Sequence, residues 1–132
     1  MNELLSGQCH CDTITWSAAL PHTIVLNCHC NMCRSLSGAD HSSWVVIPNN
    51  QFSILSGSEL MTSYQASEKF SKSFCSKCGS TIFCINTGKF PDHIYVAKGS
   101  ITSKFNLPTE IQVYTKDKAG WVTIDESIPV IN

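Results

Sequence analysis

The stretch Phe74-Cys75-Ser76-Lys77-Cys78-Gly79-Ser80-Thr81-Ile82-Phe83-Cys84-Ile85 joins a close pair of cysteines to a run of β-branched and aromatic residues. The run from Ser80 to Ile85 reads as a strand, and Cys75-x-x-Cys78 stands in the loop that enters it. The same arrangement recurs upstream, where Cys9-x-Cys11 precedes a β-type run over Thr13–Trp16. A third cluster, Cys28-x-Cys30-x-x-Cys33, follows a run over Thr23–Asn27. Thiols are thus gathered in loops at strand ends, where a rigid sheet can hold a site.

Further β-type runs lie at Ser43–Ile47, Phe52–Leu55, Leu60–Gln65, His93–Ala97 and Ile111–Thr115. Turn signals separate them at Pro48-Asn49-Asn50, Ser56-Gly57-Ser58 and Asn86-Thr87-Gly88. Ile, Val and Thr total 29 residues against 14 for Ala and Leu, a balance that favours strands. No long window carries a 3.6-residue apolar period, and Cys33–Ser37 reads as at most one helical turn. The expected fold class is all-β with little helix. At 132 residues, without internal repeat or linker, the chain reads as a single domain spanning 1–132.

Charged residues make up 14% against a typical ~25%, and hydrophobic ones 42%, which excludes a disordered chain. A net charge of -1 gives no basic footprint for nucleic acid. The longest strongly apolar run, Trp44-Val45-Val46-Ile47, is too short to span a bilayer. The first residues lack the basic and apolar regions of a secretion signal, so a cytoplasmic location is expected. The oligomeric state is left open.

Eight cysteines in a reducing compartment point to metal rather than disulfides. Cys9, Cys11, Cys75 and Cys78 form a complete four-thiolate set for a closed structural zinc. Cys28, Cys30 and Cys33 leave a fourth position for a substrate thiol, water or carbonyl oxygen, the mark of a functional zinc. Cys84 or His29 could instead fill that position, spacing alone does not fix which cluster joins which, and iron also suits thiolates. Cys84, inside an apolar run, reads more simply as a small buried side chain.

The motifs Gly7-Gln8-Cys9-His10-Cys11, Cys28-His29-Cys30-Asn31-Met32-Cys33-Arg34 with Gly38-Ala39, and Phe74-Cys75-Ser76-Lys77-Cys78-Gly79-Ser80 resemble the glutathione-dependent formaldehyde-activating enzyme family, also called the centromere protein V family. The likeness continues through Gly57, Tyr64, Val96-Ala97-Lys98-Gly99-Ser100, Gly120-Trp121 and Ile128-Pro129. It implies a β-tent fold of packed antiparallel sheets with one or two zincs at strand-end loops, and two per chain are expected here. It places the structural zinc on Cys9, Cys11, Cys75 and Cys78 and the functional one on Cys28, Cys30 and Cys33. The implied activity is that of a carbon–sulfur lyase, adding glutathione to formaldehyde. Asp12 departs from a position often Gly, and Lys72 from one often Arg.

The expected chemistry is addition of a thiol cofactor, with glutathione the leading choice, to formaldehyde or a related small electrophile at the open three-cysteine zinc. Arg34, the only arginine, is the candidate to balance the anionic site, with a loop-bracing role as its alternative. Lys72 and Lys77 read as solvated charge. His29 and His41 are candidate proton carriers, with Asp40 a candidate to orient His41. Trp44, Trp121, Phe74 and Tyr64 are either pocket lining or core. The alternative function is a non-catalytic zinc module that binds a thiol ligand or protein partner. A sulfoxide reductase reading requires a free low-pKa cysteine, for which Cys84 is poorly suited.

Overall fold

The computed structural model describes residues 3–132. Among them, eleven strands run in the order β1 (Leu4–Gln8), β2 (Thr15–Ala19), β3 (Ile24–Cys28), β4 (Ser42–Pro48), β5 (Phe52–Ser56), β6 (Met61–Gln65), β7 (Phe70–Cys75), β8 (Thr81–Asn86), β9 (His93–Ala97), β10 (Ile111–Val113) and β11 (Val130–Ile131). One helix, α1 (Asn31–Ser37), lies between β3 and β4. The strands form a three-stranded sheet, β1-β2-β5, and an eight-stranded sheet, β11-β10-β3-β4-β9-β8-β7-β6. The fold is the expected all-β tent of two packed sheets.

Strand β4 explains how the layers meet. Its apolar run is buried on both faces, as a central strand requires. Val45 and Ile47 join Leu5, Trp16 and Ala18 of the small sheet in one core, whereas Trp44 and Val46 face a second core with Leu26, Phe70, Tyr95 and Val113. Strand β9 divides the same way, with Ile94 and Val96 in the first core and Tyr95 in the second. The second core is covered by α1 and by the strands and loops near the sheet edge rather than by another sheet.

Most pairings are antiparallel, but β10 runs parallel to β3 and β11 parallel to β10. Residues 98–110 supply the long crossover that parallel entry needs. Expected strand positions hold to within two residues where the sequence marks them, with His93–Ala97 unchanged, except that the run expected over Thr13–Trp16 is shifted to Thr15–Ala19. Ile111–Thr115 is cut short, because Tyr114 turns left-handed at φ 56 and ends β10. Strands β1, β7 and β11 carry no clear sequence signal.

The helix is longer than the single expected turn. Cys30 caps its start, its Sγ accepting the backbone N–H of Cys33 at 3.2 Å. Gly38, left-handed at φ 63, ends it and donates its N–H to the Arg34 carbonyl. Lys72 Nζ donates to the Leu36 carbonyl at 2.6 Å, placing a cation at the helix C-terminus. Lys72 is therefore half-buried and bound, not solvated as expected, because β7 passes beneath that end of the helix.

Candidate functional site

The β1–β2 loop carries Cys9 and Cys11, and the β7–β8 hairpin carries Cys75 and Cys78. Asp12 closes the first loop at φ 66, donating its N–H to the Cys9 carbonyl at 3.0 Å. This left-handed turn is why glycine is at home there, and Asp is among the few other residues that enter it readily. Gly79, at φ 80, closes the hairpin with an N–H to the Cys75 carbonyl at 2.8 Å. The His10 N–H donates to Ser80 Oγ at 3.0 Å and ties the two loops together.

The four Sγ atoms lie within 4.8 Å of one another. Cys9 and Cys11 are 3.5 Å apart and Cys11 and Cys75 3.7 Å apart. A tetrahedron with metal–sulfur bonds of 2.3 Å has edges of about 3.8 Å, so these sulfurs stand at the spacing a zinc-sized cation requires. The Ser80 hydroxyl and backbone N–H hold the Cys78 thiol down to about 5, while burial pushes Cys9 up.

Cys28 ends β3, Cys30 caps α1 and Cys33 lies in its first turn. Their sulfurs also fall within 4.8 Å of one another, with Cys28 donating to Cys30 at 3.5 Å. Among the described residues no fourth Cys, His, Asp or Glu joins them. Hydrogen bonds from Cys28 and Cys33, with backbone N–H groups of the helix start, draw the Cys30 thiol down to about 2. The same thiol–thiol bond, with burial, pushes Cys28 far up. The trio therefore concentrates one negative charge on Cys30 and can take a cation with three thiolates and one free position. None of the eight cysteines is in a disulfide.

Cys84 lies outside both groups, 1% exposed in the second core, where burial pushes its thiol up to about 12. His29 also stands apart from the sulfurs. Its ring packs against that of His41, 5.0 Å between centroids and tilted by 38°. It is 2% exposed, neither ring nitrogen has a partner, and burial holds the imidazole below its ordinary range. Asp40 does not orient His41; its Oδ1 accepts the Trp121 Nε1–H at 2.8 Å. The guanidinium of Arg34 donates to Asn31 Oδ1, while its Nε is buried and unpartnered. Lys77 is exposed.

A cavity of about 260 Å³ adjoins the three-cysteine cluster, with Cys28 and Cys33 in its wall together with Leu26, Trp44, Tyr95 and Val113. A second, more open cleft of about 560 Å³ carries Gln8, His10, His41, Ser42, Ser80 and Lys98 in its wall, with Ala39, Trp44 and Ala97 between them. Trp44 is common to both. The other aromatic candidates behave differently: Tyr64 and Trp121 are exposed, and half-buried Phe74 lies under the Lys72 ammonium at 5.8 Å. Lys98, whose ammonium is destabilised by burial, stands in the Val96–Ser100 motif but had no role assigned from the sequence. Its position just beyond the β9 run, where strand ends commonly carry sites, was a further signal.

Among the described residues no helix is long and apolar enough to cross a membrane. The chain is 26% identical over 129 residues to a Halomonas elongata protein provisionally named a glutathione-dependent formaldehyde-activating enzyme, covering 92% of this chain and 82% of the relative. A crystal structure of a Rhodobacter sphaeroides protein shares the fold, with a TM-score of 0.65 at 19% identity over 76% of this chain and 90% of that one. The profile of the glutathione-dependent formaldehyde-activating enzyme family matches residues 4–117, across both cysteine clusters and the cleft between them. The chain belongs to that family.

Proposed function

We propose that the protein is a carbon–sulfur lyase-type enzyme that adds the thiol of glutathione to formaldehyde or a related small aldehyde. Cys28, Cys30 and Cys33 would hold the functional zinc, and Cys9, Cys11, Cys75 and Cys78 a structural one. The observation that carries this reading is the three-sulfur cluster, which among the described residues has no fourth protein ligand and which puts Cys28 and Cys33 in the wall of an apolar cavity. Bound there, zinc would accept a thiol in its fourth position and favour the thiolate.

The chain's own residues supply binding and charge balance. The open cleft suits a peptide thiol: serine hydroxyls line it, and among the described residues no anion pairs with the Lys98 ammonium. In the addition, a sulfur–carbon bond forms as the carbonyl π bond opens, and the thiol proton ends on the former carbonyl oxygen. His41, in the cleft wall and packed against His29, would carry that proton. Arg34, one residue beyond Cys33, supplies positive charge to a cluster that three thiolates make anionic. Free thiols throughout fit the cytoplasmic setting we propose.

The test is the rate of S-hydroxymethylglutathione formation over the uncatalysed reaction. Saturable acceleration that disappears in Cys30→Ser supports the enzyme. Thiol binding to the loaded protein without any acceleration would establish the binding-module alternative instead.

A further inference from the structure

We propose that the apolar cavity beside Cys28 and Cys33 holds the hydrocarbon part of the electrophile, so that this protein acts on aldehydes bearing an alkyl or aryl group. The inference rests on the thiol-addition reading of the three-cysteine site and names the substrate class that the site selects.

Size gives the first argument. Formaldehyde, with two heavy atoms, occupies about the space of one water, ~30 Å³. The cavity measures about 260 Å³, and formaldehyde alone would leave most of it empty. An apolar cavity of about 150 Å³ is already enough to take benzene.

Chemistry gives the second. Ile24, Leu26, Trp44, Phe70, Phe90 and Val113 make an interior with almost no hydrogen-bonding groups. Such a surface is a poor host for a small, hydrated carbonyl and a good one for a hydrocarbon chain. The cleft that shares Trp44 with this cavity carries serine hydroxyls, His41 and Lys98 for the peptide thiol, so the apolar cavity is not needed for the glutathione backbone. Two substrates, one polar and one apolar, would occupy separate chambers that meet at Trp44.

The third argument is the rim. Tyr114 is held at φ 56, a conformation that non-glycine residues seldom adopt and that structures retain where it serves a purpose. Its ring lies under the Lys89 ammonium at 4.7 Å, and both residues line the cavity mouth with Asn86. Charged and amide groups are thus confined to the entrance, and beyond them the wall is carbon except for the Cys28 and Cys33 sulfurs and the Tyr95 hydroxyl. The reaction is the addition already described, in which the aldehyde carbon gains the sulfur and its oxygen gains the thiol proton.

The test is kcat/KM for the zinc-loaded protein with formaldehyde, acetaldehyde, butanal and hexanal, each divided by its uncatalysed rate with glutathione. Added methylenes entering this cavity should raise the ratio about fourfold each until the cavity fills. The gain should lie mainly in KM, and Ile24→Trp, which occupies part of the space, should flatten the series. Unreactive 1-hexanol should inhibit competitively and shift the NMR methyl signals of Leu26 and Val113. Acceleration of formaldehyde with no gain along the series, and no effect of hexanol on rates or methyl signals, overturns the cavity assignment but leaves thiol addition standing. Failure to accelerate any aldehyde, whatever hexanol does to the methyl signals, overturns the underlying reading and this inference with it.

Discussion

Cys11 Sγ lies 3.7 Å from Cys75 Sγ, although 64 residues separate them. The contact joins the small sheet to the β7–β8 hairpin of the large one. A cation at this point cross-links the two layers, and closing a loop of this length contributes about 4 kcal/mol by chain entropy alone. Chelator treatment or Cys75→Ser should therefore lower the melting temperature sharply, read by calorimetry. An unchanged melting curve after complete metal removal would contradict the cross-link.

Cys30 offers a cleaner separation of roles. Its sulfur both belongs to the trio and caps α1. Serine is a preferred N-cap, so Cys30→Ser, compared with the wild type after metal removal, should keep the helix and cost no more than about 1 kcal/mol of stability. The variant should nevertheless lose one metal and the catalysed rate together. Circular dichroism and a denaturant titration, set beside the activity assay, check both halves.

Backbone geometry at the first loop predicts opposite outcomes at two nearby positions. A Cβ on Gly7 would fall inside the Trp16 indole and against the Ser100 carbonyl, both fixed parts of the core. Gly7→Ala should cost several kcal/mol, on the scale of overpacking a rigid core. Asp12→Gly should be near neutral, because the left-handed turn is retained. Asp12→Val should cost about 1–2 kcal/mol. Urea midpoints of the three variants rank them directly.

Burial raises Cys84 from its ordinary 9.0 to about 12. Between those values the unfolded chain has released the proton and the folded chain retains it. Stability is therefore fully present below about pH 9 and falls as pH rises toward 12. Cys84→Val should flatten this decline, leaving the slope due to Tyr95, whose hydroxyl burial also pushes up. Native Cys84 should resist alkylation at pH 8, as peptide mass spectrometry would show.

The parts legible in the sequence were those with a local physical signature. β4 announced itself as an uninterrupted apolar run, and the cysteine clusters by spacing. β7 was hidden because Ser73 is buried among its core-facing positions, where it pairs with Ser63 Oγ at 2.9 Å instead of packing as an apolar residue. Only the second half of the helix was legible, because its start is capped by a cysteine and its seven residues are too few for the Met32, Cys33 and Leu36 face to show a period in a long window. The parallel entry of β10 depends on a distant partner, β3, that no short window contains. In the site, Asp40 and His41 are neighbours in sequence, yet the turn sends one to Trp121 and the other to His29.

The most direct measurement is metal per chain, by plasma mass spectrometry on protein purified without chelator or added zinc, for the wild type and Cys30→Ser. The account predicts two zincs in the wild type and one in the variant. One zinc in both would contradict it, since the three-cysteine cluster would then hold no metal.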